Sequence, residues 1–199
     1  MIRTGIFGGS FNPVHKGHIA LAEEICRHKL VDEVWLMVSP QNPFKQSRHL
    51  LPDALRLELT RIAVKRHRKL KISDFEFHMP RPSYMAATLK LLKQTYSARS
   101  FTLIIGADNW SVFNQWYHYE EILENYHIIV YPRKGQAIDR ESLPHNVVAP
   151  DMPLYPMNST DIRKRLSKGI SVSNVLDPEV EQLLQNYIRK NPEEFRLTV

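Results

Sequence analysis

Two histidines three residues apart, His15 and His18, close a stretch that reads GIFGGSFNPVHKGH over residues 5–18. Imidazoles in such a place can donate hydrogen bonds to phosphate oxygens without the bulk of arginine. The adjacent Gly8 and Gly9, followed by Ser10, let a nucleotide come close to the backbone. A helix starting at these histidines would add backbone N–H groups and a partial positive charge. The spacing also suits a second chemistry, because positions i and i+3 put both rings on one helix face, as metal ligation would require. No third ligand with sensible spacing and no cysteine pair is evident. A merely structural pair is the third reading. Neither a Walker A loop nor a Gly-x-Gly-x-x-Gly fingerprint fits the stretch.

These residues need elements to hold them, and the chain alternates strand and helix signals. TGIFGG is a short apolar strand ending in glycines, and residues 17–29 follow with helical spacing at Ile19, Ala22, Ile25 and Cys26. EVWLMVS at 33–39 is a continuous apolar run, the pattern of a strand buried on both faces. A loop over 40–52 precedes a helix with Asp53 in its first turn, and KISDFEF supplies another strand. PSYMAATLKLLKQTY has helical spacing; FTLIIGAD at 101–108 and HIIVYPR at 127–133 read as central strands. A Pro-rich linker at 144–156 leads to NSTDIRKRL and then to DPEVEQLLQNYIRK, with Asp177 as N-cap and Pro178 at the first helical position.

Strands alternating with helices imply an α/β fold, a doubly wound parallel sheet covered on both faces. The expected organisation is one domain over residues 1–199, with a small C-terminal helical segment at about 157–192. Ligands of such sheets lie beyond the strand C-termini. Gly8-Gly9-Ser10, Ser39 to Lys45, Gly106-Ala107-Asp108 and Tyr131-Pro132-Arg133 all follow strand ends, so four loops should share one rim.

Composition narrows the partners. The chain has 199 residues, 27 Lys+Arg against 21 Asp+Glu, and a net charge of +6. That balance suits phosphorylated small molecules or nucleic acid. The basic runs RIAVKRHRKLK at 61–71 and RKRLSKG at 163–169 carry no interleaved aromatics and no known docking motif, so no nucleic-acid partner is expected. No apolar run is long enough to cross a bilayer and no signal-peptide core forms near Arg3 and Thr4, so neither membrane nor export is expected. The one cysteine, Cys26, excludes an internal disulfide, fits a reducing cytoplasm and reads as a small buried helix residue.

GGSFNPVHKGH closely resembles the Gly-Gly-Thr-Phe-Asp-Pro-x-His-x-Gly-His signature of the nucleotidyltransferases that transfer adenylyl or cytidylyl groups. Asn12 and Ser10 stand where that signature commonly has Asp and Thr, and each keeps a small polar side chain. NSTDIRKRL resembles the family's C-terminal Ser-Thr-x-x-Arg motif, and NPFK its Asn-Pro-x-x-Lys loop. RPSYMAATL resembles the Pro-Ser-Tyr-Thr-x-Asp-Thr-Leu segment of bacterial nicotinate-nucleotide adenylyltransferases. LIIGADNWSVFNQWYHYEEIL resembles their Gly-Ala-Asp segment followed by a Trp-Tyr pair. Together the matches run from residue 5 to 166.

The resemblance implies a Rossmann-like nucleotidyltransferase fold and adenylyl transfer from ATP to nicotinate mononucleotide, giving deamido-NAD and pyrophosphate. It implies ATP contacts at Gly8, Gly9, Ser10, Phe11, His15, His18, Gly106, Ser159, Thr160 and Arg163. Mononucleotide contacts fall at Lys45, Tyr84, Met85, Asp108, Trp116 and Tyr117. The groups implied to act on the reacting phosphates are His18, His15, Lys45 and Arg163, with Mg2+ arriving on ATP and no metal ligand supplied by the protein. On bland readings, Trp116 and Tyr117 are core aromatics, Asp108 a helix N-cap and Arg163 one charge on a solvated face. Ser159 and Thr160 are expected to cap their helix as well as bind anions. Met85 and Ala87 replace the usual Thr and Asp, which bears on discrimination between acid and amide mononucleotides. A related transferase with another phosphorylated acceptor, such as nicotinamide mononucleotide, and a non-catalytic nucleotide-binding protein are the alternatives.

Overall fold

A computed structural model describes residues 1–40 and 50–199. Six strands, β1 (Ile2–Gly9), β2 (Glu33–Val38), β3 (Leu70–Ser73), β4 (Arg99–Gly106), β5 (His127–Tyr131) and β6 (Val147–Val148), form one sheet in the order β3-β2-β1-β4-β5-β6. Every pairing is parallel. The connecting helices are α1 (Lys16–Arg27), α2 (Asp53–Val64), α3 (Met85–Thr95), α4 (Ala107–Trp110) and α5 (Tyr119–Asn125), followed by α6 (Ser159–Ser167), α7 (Pro178–Lys190) and α8 (Pro192–Arg196). This is the doubly wound α/β arrangement expected from the alternation of strand and helix signals.

The period of two explains why the central strands are apolar throughout. In β2, Val34, Leu36 and Val38 join the core that includes α1, α2 and α7, while Trp35 and Met37 join the one beneath α3 and α5. Ile6 and Phe7 of β1 divide the same way. All six β2 residues are therefore buried, including Glu33, whose carboxylate accepts from Trp35 Nε1 at 2.7 Å and pairs with Lys71 and Arg99. Cys26 lies buried in the first core, and loss of water pushes its thiol up to about 11.

Local differences from the sequence pattern have local causes. KISDFEF is a strand only as far as Ser73; Phe75–His78 forms a 3-10 turn. Ser73 Oγ accepts the Phe75 N–H at 3.3 Å, and Glu76 is drawn inward to the hydroxyls of Ser83 and Thr88, both at 2.9 Å. The Pro-rich linker contains the two-residue edge strand β6, paired to Ile128 and Ile129. α7 starts as its sequence signals, with the Asp177 side chain accepting the Glu179 N–H at 2.8 Å. α8 adds a turn beyond the expected end of the helical segment.

Candidate active site

β1 leads by α1 to β2 on one side of the sheet, whereas β4 leads to β5 on the other. The loops after β1 and β4 therefore diverge, opening a crevice at the switch in strand order. A cleft of about 1140 Å³ lies there. All the site residues expected from the sequence line it except Lys45, which falls outside the described residues.

The loop after β1 is shaped by its aromatics. Phe11 takes a positive φ of 42°, a left-handed conformation uncommon for a bulky residue and typical of backbone held under constraint at functional loops. Its ring meets Phe7 edge-on at 5.6 Å and His18 at 5.0 Å. A Cβ on Gly9 would lie 3.1 Å from that ring. Asn12, where the resembling signature has Asp, uses its side-chain oxygen to accept the Leu51 N–H at 2.9 Å. That role needs an acceptor only, so Asn serves as Asp would.

His15 is the N-cap of α1, and His18 lies in the first turn. Their rings stack with centroids 3.6 Å apart. Gly17 makes room, since a Cβ there would lie 3.1 Å from His15 Nδ1. The His15 backbone N–H donates to His18 Nδ1 at 3.2 Å. An acceptor Nδ1 carries no proton, so the neutral His18 ring holds its proton on Nε2. His15 is buried, and loss of water, aided by the nearby Arg133 charge, pulls its pKa down to about 4. It is therefore neutral near pH 7. The helix start offers fewer open donors than its sequence implies, because the Lys16 N–H is already given to the Val175 carbonyl at 2.9 Å.

Across the cleft, α6 is capped by Asn158, whose side chain accepts the Asp161 N–H at 2.8 Å. The expected cap was Ser159 and Thr160. Instead they occupy the first two helical positions, where N–H groups have no partner within the helix. Ser159 Oγ donates to the Pro13 carbonyl at 2.9 Å, tying α6 to the β1 loop. Arg163 is not on a solvated face: it is 8% exposed, donating from Nε to the Thr198 carbonyl at 2.5 Å and from Nη1 to the Asn12 carbonyl at 2.7 Å. It forms no ion pair among the described residues, and burial lowers its pKa from the ordinary arginine value. A buried positive charge with only neutral partners favours an anion.

The other wall comes from α3, α4 and the segment before α5. Asp108 is inside α4, whose N-cap is Gly106, so the capping reading of Asp108 does not hold. Asp108 faces Arg133 instead, with Oδ1 3.6 Å from Nε. A Cβ on Gly106 would fall 2.3 Å from Asp108 Oδ1 and 3.1 Å from the Arg133 side chain, so a larger residue at that strand end would displace the pair. Met85 opens α3, and its methyl would be 3.0 Å from a Cβ on Gly8. Trp116 is half-buried beside Phe113, while Tyr117 is exposed and packs on Tyr84 with ring centroids 4.8 Å apart.

Sequence reasoning put Arg133 on the rim without giving it a role, and it missed Arg56. Arg133 lines the cleft and holds Tyr131 Oη at 3.0 Å; its signal was its place directly after a strand end. Arg56 is fully buried and donates to the carbonyls of Ser10, Ser39, Leu51 and Pro40, at 2.7, 2.8, 3.0 and 3.4 Å, and to Asp53 at 2.6 Å. It binds together the ends of the first two strand loops. Helical spacing gave no sign of this, because the position reads as one more core-facing site on α2.

Four buried polar atoms in the cleft lining have no hydrogen-bond partner among the described residues: Ser10 Oγ, His15 Nδ1, Trp116 Nε1 and Arg133 Nε. Orphaned groups of this kind are costly unless a ligand or water completes them. No group of three His, Cys, Asp or Glu side chains among the described residues is placed to hold a metal ion.

Residues 6–165 match the cytidylyltransferase-like family model. A protein of Bacteroides fragilis named "Probable nicotinate-nucleotide adenylyltransferase" is 49% identical over 178 residues, covering 89% of each chain. One of the same name from Bacteroides thetaiotaomicron is 46% identical over 190 residues, 96% of this chain and 94% of its own. The Plasmodium falciparum nicotinic acid mononucleotide adenylyltransferase complexed with NaAD shares the fold, with a TM-score of 0.78 at 19% identity over 98% of both chains. The chain thus belongs to the cytidylyltransferase-like nucleotidyltransferases and, within them, to the family of bacterial nicotinate-nucleotide adenylyltransferases.

Proposed function

We infer that the chain transfers the adenylyl group of ATP to nicotinate mononucleotide, releasing pyrophosphate and forming deamido-NAD, a step of NAD biosynthesis. One observation carries the reading to the residues: the cleft at the switch point gathers a buried guanidinium held only by carbonyls, a helix start and four polar atoms orphaned among the described residues. That set suits a polyanion at one end and a flat ring at the other.

The mononucleotide's phosphate oxygen attacks the α-phosphorus of ATP in line, and the bond to the pyrophosphate oxygen breaks. A phosphate monoester is already ionised near neutrality, so no general base and no covalent intermediate is required. The protein supplies position and charge stabilisation. His18 presents its Nε2 proton to the reacting phosphate. His15, Ser10 and the α6 start with Arg163 hold the rest of the triphosphate, and Gly8, Gly9, Phe11 and Gly106 admit the nucleotide against the backbone. Trp116, Tyr117, Tyr84, Met85 and Asp108 receive the mononucleotide, with Lys45 reaching the phosphates. ATP enters as its magnesium complex, the ion held by phosphate oxygens and water.

The acid is preferred over the amide because backbone N–H groups at the start of α3 and near Tyr117 read the carboxylate, and these survive the Met85 and Ala87 departures. In the basic run at 61–71, Arg61 pairs with Glu58, Lys65 and Arg66 with Glu179, and Lys71 with Glu33, so part of its charge is already matched within the chain. A polymer-binding stripe would leave such charges open. The reaction is assigned to the cytoplasm, where the single thiol stays reduced.

Product analysis with ATP and equimolar nicotinate and nicotinamide mononucleotides tests the assignment. Deamido-NAD should dominate; NAD as the main product would replace the acceptor, and no adenylyl product would leave only nucleotide binding.

A further inference from the structure

Arg163 is the residue through which the far end of the chain touches the cleft. Its Nε donates to the Thr198 carbonyl at 2.5 Å and its Nη1 to the Asn12 carbonyl at 2.7 Å. A guanidinium is planar and rigid, so two bonds from different nitrogens fix both its position and the direction of its remaining N–H vectors. One of the two anchors belongs to the phosphate-side loop after β1. The other belongs to the turn after α8, which is itself built in: Phe195 is 1% exposed and Thr198 2%. The Thr198 hydroxyl and N–H both donate to the Phe195 carbonyl, at 2.8 and 2.9 Å. Phe195 in turn lies in the core that contains Val180 and Leu184 of α7.

We propose that the turn Phe195–Thr198 is a positioning element for anion capture, a clasp that orients Arg163 toward the triphosphate of ATP. Phe195 and Thr198 are positioning residues in it, since neither side chain lines the cleft. The physical reason is that a buried arginine held by one carbonyl alone could rotate about that bond and turn its free N–H groups away from the cleft. The second carbonyl removes that freedom before the ligand arrives, so less entropy is lost on binding. This rests on the reading of the cleft as an ATP site.

The test is a chain ending at Arg196, which lacks the Thr198 carbonyl. Calorimetry with the non-cleavable α,β-methylene analogue of ATP should show affinity lower by roughly tenfold or more, the value of a charge-assisted hydrogen bond. The KM for ATP should rise in parallel, with the mononucleotide KM within about twofold of the full chain, since its contacts lie elsewhere. Unchanged analogue affinity in the folded, shortened chain overturns the proposal.

Should the shortened chain not fold, Phe195→Ala and Phe195→Leu replace it. The first should show the same split between ATP and mononucleotide, and the second should restore ATP affinity. Leu184→Ala, destabilising in the same core but away from Arg163, should lower the melting temperature and leave ATP affinity in place. If Phe195→Ala shifts both substrates equally, or Leu184→Ala reproduces its effect on ATP, Phe195 is only core and the proposal falls. Analogue binding is read without turnover. A full chain that binds the analogue but makes no deamido-NAD would therefore refute the acceptor assignment and leave the clasp standing.

Discussion

The backbone N–H of His15 donates to Nδ1 of His18 at 3.2 Å, and the two imidazoles stack with centroids 3.6 Å apart. The bond settles which nitrogen of His18 is the donor. That leaves Nε2 as the ring nitrogen able to donate to a ligand.

Replacing that donor should affect the transition state more than the ground state. His18→Ala is expected to lower kcat on the order of 10²–10³ while ATP affinity changes little. Steady-state kinetics beside calorimetry with an ATP analogue separates the two. Turnover within a few-fold of the parent would remove His18 from the chemistry.

His15 gives a pH signature. Its folded pKa of about 4 lies below the usual 6.5, so the unfolded chain binds the extra proton first. Stability from this group is complete above pH 6.5 and lost as pH falls through about 4. His15→Gln should flatten that part of the curve, the difference between parent and variant amounting to about 3 kcal/mol. Denaturant unfolding at pH 7 and pH 4 measures it; parallel pH profiles would contradict the assigned shift.

Trp116 should separate the two substrates. Trp116→Ala is expected to raise the mononucleotide KM roughly tenfold or more, since a lost stacking contact costs about 1–3 kcal/mol. The ATP KM should stay near the parent value. Equal damage to both, with a lower melting temperature, would make the tryptophan a core residue only.

Arg56 ties down the loop ends before any ligand binds. Arg56→Met keeps the apolar stem but leaves the carbonyls of Ser10, Ser39, Leu51 and Pro40 without this donor, and Asp53 with Arg81 alone. Stability should fall by about 3 kcal/mol or more, and ATP affinity should drop with it because Ser10 and Ser39 line the cleft. Thermal melts and analogue binding check both. A stable variant with normal ATP binding would show that the loops hold themselves.

What the sequence determined by itself was whatever local pattern encodes. A continuous apolar run marked β2 as buried on both faces, FTLIIGAD and HIIVYPR marked β4 and β5 as central strands, and Asp177-Pro178 marked the start of α7, because periodicity and capping act within a few residues. The spacing Gly8-Gly9-Ser10 to His15-x-Gly17-His18 pointed to phosphate chemistry for the same reason. Tertiary structure decided what depends on distant groups. KISDFEF turned after Ser73 because Glu76 finds Ser83 and Thr88, and Arg163 proved buried because the carbonyls it serves lie 151 and 35 residues away. Arg56 has its role because the fold brings four loop carbonyls to one core-facing position of α2. The low pKa of His15 likewise follows from burial and from the Arg133 charge beside it, and neither is written in residue types.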